Sequence, residues 1–151
     1  MSLRIVALTV LTAGVVATGP LPAQDGAVPS GTWAVVSSEE DGQPSKFPAK
    51  GTLYTFTDGK VTGGPKKAEG QVLYTFKADP KKDPKAIDLI QEVAKKKVVL
   101  RGIYKLEKGR LVICIGVASG SGEDKVVEGK RPTEFKSGPK VQLLTFEPGG
   151  H

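Results

Sequence analysis

Between Gly31 and Phe146 the chain is a succession of short runs that alternate apolar and polar residues, most of them closed by turn-forming residues. That rhythm is the strongest constraint on the fold. A period of two puts successive side chains on opposite faces of a strand, and little sequence is left for helices of ordinary length. The first run, Thr32 to Ser38, sets Trp33, Val35 and Ser37 on one face and Ala34, Val36 and Ser38 on the other. Trp33 is the single tryptophan. Its place at the head of the first strand suits the closed floor of a small antiparallel barrel.

The later runs follow the same grammar. Gly51 to Thr57 reads as a strand, and Asp58-Gly59 is the strongest hairpin signal in the chain. Lys60 to Thr62 returns antiparallel before Gly63-Gly64-Pro65 breaks the run. Gln71 to Lys77 repeats a tetrapeptide, with Leu73-Tyr74-Thr75-Phe76 answering Leu53-Tyr54-Thr55-Phe56. Two copies of four residues do not make a repeat protein. They indicate two strands in similar surroundings, each with Tyr and Phe on one face. Val98 to Leu106, a Glu107-Lys108-Gly109 turn and Arg110 to Val117 form another hairpin. A long Gly/Ser and charged loop, Ala118 to Lys130, has room for a short strand at Val126-Val127 before the last strand, Val141 to Phe146.

Asp79 to Lys97 is ambiguous. Ile87, Ile90 and Ala94 fall at helical spacing after Pro84, whereas Ile87 and Leu89 alternate around Asp88 as in a strand. The count is seven or eight strands joined mostly by short turns. That is all-β meander patterning, which fits a closed antiparallel barrel or a sandwich.

The ends read differently. Arg4, then the uncharged run from Ile5 to Thr18, then Leu21-Pro22-Ala23 have the three-part layout of a secretory signal peptide, with cleavage expected after Ala23. The apolar run is short for a membrane span, so no stable membrane insertion is expected after cleavage. Residues 24–30 read as a linker, 31–147 as one barrel domain and 148–151 as a tail. The expected location is the periplasm or the cell exterior.

The chain carries a formal net charge of +6, and most of the excess is lysine in short scattered runs. Lys66-Lys67, Lys81-Lys82 and Lys95 to Lys97 fit solvated loops and guarded strand edges. No aromatic residues interleave with them, so no nucleic-acid partner is expected. Cys114 is the only cysteine, so an intramolecular disulfide is excluded. It lies in an apolar run that suits a buried thiol.

Catalytic chemistry is sparse. The only histidine is His151, the last residue. No Ser-His-Asp relay, histidine metal site or cysteine zinc site is expected inside the domain. Gly63-Gly64 and Gly120-Ser121-Gly122 lack the strand-to-helix setting of a phosphate cradle. Carboxylates remain: Glu39, Glu40 and Asp41 at one turn, and Asp79, Asp83 and Asp88 around another segment. A glycosidase needs two carboxyls facing each other at roughly 5–10 Å, and nothing in the spacing arranges that. Asp79 and Asp83 also lack the spacing of a calcium loop. The expectation is a non-enzymatic protein with no cofactor and no metal.

Several segments together carry a resemblance. These are Gly31-Thr32-Trp33-Ala34-Val35-Val36-Ser37, Asp41-Gly42, Pro84-Lys85-Ala86-Ile87-Asp88-Leu89, Gly102-Ile103-Tyr104-Lys105-Leu106, Leu111-Val112-Ile113-Cys114 and Arg131-Pro132-Thr133-Glu134-Phe135. Over residues 30 to 147 the chain resembles the small lipocalin-like domain family abundant in planctomycete bacteria. The resemblance implies a lipocalin-like β-barrel of about eight strands, and it tips 86–90 toward strand. It transfers no catalytic residue. The wider lipocalin pattern has Gly-x-Trp on its first strand, matched by Gly31 and Trp33, and a basic side chain after the last strand that packs on the Trp. Here Glu147 follows the expected last strand. Arg131 would take that role only if its loop folds back under the barrel.

A small barrel either fills its centre with side chains or holds one ligand. Trp33, Tyr54, Tyr74 and Tyr104 are the candidate pocket residues, since inward tyrosine hydroxyls need partners. The plainer reading of these aromatics is core or surface cross-strand pairs. The sequence therefore points to an exported barrel that binds a small apolar or amphipathic ligand. The alternative is a cell-envelope structural or interaction protein whose outer face and Lys-rich loops contact anionic polymer or protein.

Overall fold

A computed structural model describes residues 29–64, 71–118 and 126–149. The expected signal peptide, most of the linker, Lys66-Lys67, Gly120-Ser121-Gly122 and His151 lie outside the described residues.

The described chain is all strand and loop. Eight strands form a closed antiparallel meander: β1 (Gly31–Glu40), β3 (Leu53–Thr57), β4 (Lys60–Gly63), β5 (Val72–Asp79), β6 (Lys85–Val93), β7 (Lys96–Glu107), β8 (Arg110–Gly116) and β10 (Val141–Pro148). β10 pairs with β1 from Trp33↔Pro148 to Glu40↔Gln142, which closes the sheet on itself. Two short strands are extra. β2 (Gln43–Pro44) folds back on the end of β1, and β9 (Val126–Glu128) lies parallel to β7. The barrel reading holds and the sandwich does not.

The helical spacing over 87–94 is not used. Residues 85–93 form β6, paired along its whole length with β7. The intervening turn, Ala94-Lys95, has both residues at positive φ, 49° and 65°. This is the backbone of the tight hairpin turns at Asp58-Gly59 and Lys108-Gly109, without the glycine that usually marks one.

The strand directions define two ends. β1 begins at one end with Trp33, and the connections 58–59, 80–84 and 108–109 lie at that same end. The connections 41–52, 64–71, 94–95 and 117–140 lie at the other. The core fills the Trp33 end: Trp33, Ile87, Tyr104 and Leu111 are buried there, beside Val35 and Phe146. Trp33 donates its indole N–H to the Ser30 carbonyl at 2.9 Å, so the polar edge of the ring is satisfied.

Residues 129–140 form a strap across the outside of β6, β7 and β8. Arg131 fastens it, donating to the Gly102 carbonyl at 2.6 Å and to Asp88 Oδ1 at 2.7 Å. Arg131 therefore serves the outer wall rather than the Trp33 floor, and β10 itself runs on past Glu147 to Pro148. Where the strap starts, Gly116 and the Gly129-Lys130 backbone cross in contact. A Cβ on Gly116 would overlap the Lys130 carbonyl, and one on Gly129 would overlap the Gly116 carbonyl. Ala86, Ile103 and Cys114 form a row across the three strands on their outer face, and all three are buried. The Cys114 thiol sits 3.6 Å from the Lys136 carbonyl. Burial pushes that thiol above its ordinary pKa, with the backbone contact acting the other way.

Candidate functional site

The half of the barrel away from Trp33 is hollow. A cavity of about 330 Å³ lies there, walled by inward side chains from all eight barrel strands. Phe56, Val61, Leu89, Leu100, Ile113, Ile115, Leu144 and Phe146 supply an apolar surface. Tyr54, Tyr74, Glu40 and Gln142 supply its polar side chains. Alternation explains most of the lining, since a strand gives every second residue to the interior; on β5 the register irregularity opposite Val61 and Thr62 lets both Leu73 and Tyr74 reach it, and the residues nearest the floor are packed against one another instead.

The mouth is shaped by the loop between β2 and β3. The Phe47 carbonyl accepts three hydrogen bonds: from Ser38 Oγ at 2.9 Å, Ser45 Oγ at 3.1 Å and Gln142 Nε2 at 2.9 Å. Gln142 Nε2 also lies 3.2 Å from Ser38 Oγ. These bonds anchor the loop backbone, while the Phe47 ring stays 70% exposed at the edge of the cavity. Phe47 and Gln142 carry no sequence signal as site residues, because their roles depend on a loop meeting a distant strand.

The four candidate residues divide evenly. Tyr54 and Tyr74 line the cavity. Trp33 and Tyr104 belong to the packed floor, 7% and 1% exposed, and are not part of the cavity wall. The parity of β7 turns Tyr104 inward, but toward the floor, beyond Gly102 and opposite Lys85. Tyr54 stacks edge-on against Phe146, with ring centroids 6.0 Å apart. Burial, reinforced by the charge Tyr74 would carry when ionised, pushes the Tyr54 phenol up to about 12. Burial likewise raises Tyr74. Both are neutral hydrogen-bond donors at physiological pH. Among the described residues neither hydroxyl has a hydrogen-bond partner.

The carboxylates are dispersed. Glu39, Glu40 and Asp41 lie at the cavity end, Asp79 and Asp83 at the floor end, and Asp88 on the outer wall held by Arg131. Ser137 Oγ donates to Glu39 at 3.4 Å, and Asp79 accepts from the Lys81 N–H at 3.1 Å. No group of three or more His, Cys, Asp or Glu among the described residues could hold a metal.

A second, outer cleft of about 720 Å³ runs between the strap and β10, edged by Lys130, Arg131, Lys136 and Lys140 with Glu128 and Glu134. It is larger than the interior cavity, but it is a crevice lined mostly by loop residues on the outside of the barrel. The interior cavity combines apolar walls with a few convergent polar groups, and that combination makes it the candidate small-molecule site.

The chain matches no protein-family model, no curated protein and no solved structure.

Proposed function

We propose that this protein is an exported, non-enzymatic binder of a small apolar or amphipathic molecule, held inside the barrel. The observation that carries the reading is the 330 Å³ hollow beneath the 41–52 loop, walled by apolar side chains from seven of the eight barrel strands, with Glu40 from β1 at its mouth. A cavity of roughly 150 Å³ lined by apolar residues takes up one benzene, so this hollow has room for a compound of about a dozen heavy atoms. Burying such a compound removes apolar surface from water on both partners, which drives binding without any reaction. The leader-like segment 1–23 supports export.

Native mass spectrometry of the protein purified from its own cells tests the reading. The expected result is a retained mass that leaves on mild activation and is lost from a variant whose hollow is filled. A protein that arrives empty and takes up no apolar probe would count against it.

The outer cleft favours a second reading, in which the lysines of the strap hold an anionic envelope polymer or protein. Salt-sensitive retention of the protein on envelope extract, abolished by replacing Lys130 and Lys136 together, is its expected signature.

A further inference from the structure

The polar groups of the cavity are asymmetric. Gln142 spends its amide N–H groups on Ser38 and on the Phe47 carbonyl. Glu40 brings a carboxylate to the mouth, and no lysine, arginine or histidine lines the wall. The two phenols are left as donors. Tyr54 on β3 and Tyr74 on β5 flank β4, whose inward positions are Val61, opposite Tyr74, and Gly63, opposite Tyr54. Gly63 has no side chain to place between the tyrosines, and the ionisation of one is felt by the other.

We infer that the ligand is a neutral molecule bearing a carbonyl-type acceptor, a ketone, aldehyde, ester or amide, whose oxygen takes hydrogen bonds from Tyr54 and Tyr74. This deepens the ligand-binding reading above and rests on it. The reasoning is electrostatic. A buried carboxylate needs a cation or several charge-assisted donors, and this cavity offers two neutral hydroxyls with an acid at its mouth. A carbonyl oxygen has two lone pairs and no charge to desolvate, so it matches two phenol donors. A pure hydrocarbon would fill the hollow but leave both hydroxyls without partners, at a cost in affinity. The site therefore selects against free fatty-acid-like anions and against plain hydrocarbons.

Three probes on one ring system and of similar size separate these outcomes: ethylnaphthalene, acetylnaphthalene and naphthoate, titrated by fluorescence into the full-length mature protein at neutral pH. Acetylnaphthalene is expected to bind about tenfold more tightly than ethylnaphthalene, the effect of one to two net neutral hydrogen bonds. Naphthoate is expected to bind most weakly. In the Tyr54→Phe/Tyr74→Phe double variant the ketone should lose its advantage and bind like the hydrocarbon, whose affinity should hold or rise. The single variants show whether one hydroxyl dominates, and an unchanged thermal transition shows that they fold. Naphthoate binding tightest, or a ketone preference that survives both substitutions, would overturn the inference while leaving the ligand-binding reading intact. No binding of any of the three to the native protein would remove both.

Discussion

The two ends of this barrel are built by different rules. At the floor, Trp33, Tyr104, Ile87 and Leu111 close against one another, and two of the three connections are two-residue turns ending in glycine, Asp58-Gly59 and Lys108-Gly109. At the mouth the connections are long, except for one tight turn made from Ala94 and Lys95, and the interior is open. The difference separates a packed half from a hollow one. Close packing at the floor supplies the dispersion and burial that hold the sheet shut. The mouth forgoes those contacts and keeps a space that another molecule can fill.

The comparison breaks if truncation costs the same at both ends. Leu111→Ala at the floor should destabilise the protein by about 3–4 kcal/mol in denaturant unfolding. Leu100→Ala on the cavity wall should cost roughly half as much, because that side chain borders space already empty and is only partly buried. Equal losses would mean the hollow is closed in solution.

Filling the hollow sharpens the contrast. Leu100→Trp should lower affinity for a naphthalene probe by at least about tenfold while moving the unfolding midpoint little, because the new ring enters vacant volume. A large drop in stability with binding retained would place the ligand elsewhere.

The turn at the mouth offers a smaller effect of opposite sign. Lys95 holds φ 65° without being glycine, a conformation that costs an ordinary residue about 1 kcal/mol or more. Lys95→Gly should therefore raise stability by up to about 1 kcal/mol, reduced by the greater freedom of the unfolded chain. The same change at Lys140, also at positive φ, provides a comparison in an irregular loop.

The last prediction is spectroscopic. Tyr54 ionises near 12 in the folded protein against an ordinary 10. The folded state therefore keeps a proton that the unfolded state releases, and this contribution to stability is intact below pH 10 and lost as the pH rises toward 12. Tyrosinate absorbance should show a late step that Tyr54→Phe removes and that a bound ketone shifts still higher. A Tyr54 step at 10 in the native protein would mean that the cavity is wet and open.

Much of this was legible in the sequence, and the failures have physical causes. Asp58-Gly59 and Lys108-Gly109 announced their hairpins because glycine enters positive φ without strain. Ala94-Lys95 makes the same turn without that mark, so β6 carried no signal of where it ends. β6 was doubly obscured because the strap covers its outer face. Ala86 and Ile87 are both buried, one under the strap and one in the core, and the apolar–polar alternation that identifies a half-exposed strand is blurred. Leu111 to Ile115 reads as one apolar run for the same reason, with Cys114 turned outward beneath Lys136. Tyr54 and Tyr74 could be named from their repeated tetrapeptide, but separating them from Tyr104 needed depth along the barrel axis. Strand parity gives inside or outside and says nothing of height. Arg131 stood out only as a basic residue in search of a partner, and its partner, Asp88, is far away in sequence.

The seam where β1 meets β10 has a consequence for how the molecule can be handled and how it forms. Trp33 and Pro148 are register partners there, so the domain's first and last strands join side by side from the sealed base upward. Such contacts, between residues from opposite extremes of the domain, assemble slowly relative to the local hairpins. A circular permutant that links 149 to 29 and opens the chain at Gly59 would turn that late, distant join into an early, local one. It should fold faster than the parent and leave the mouth of the cavity untouched.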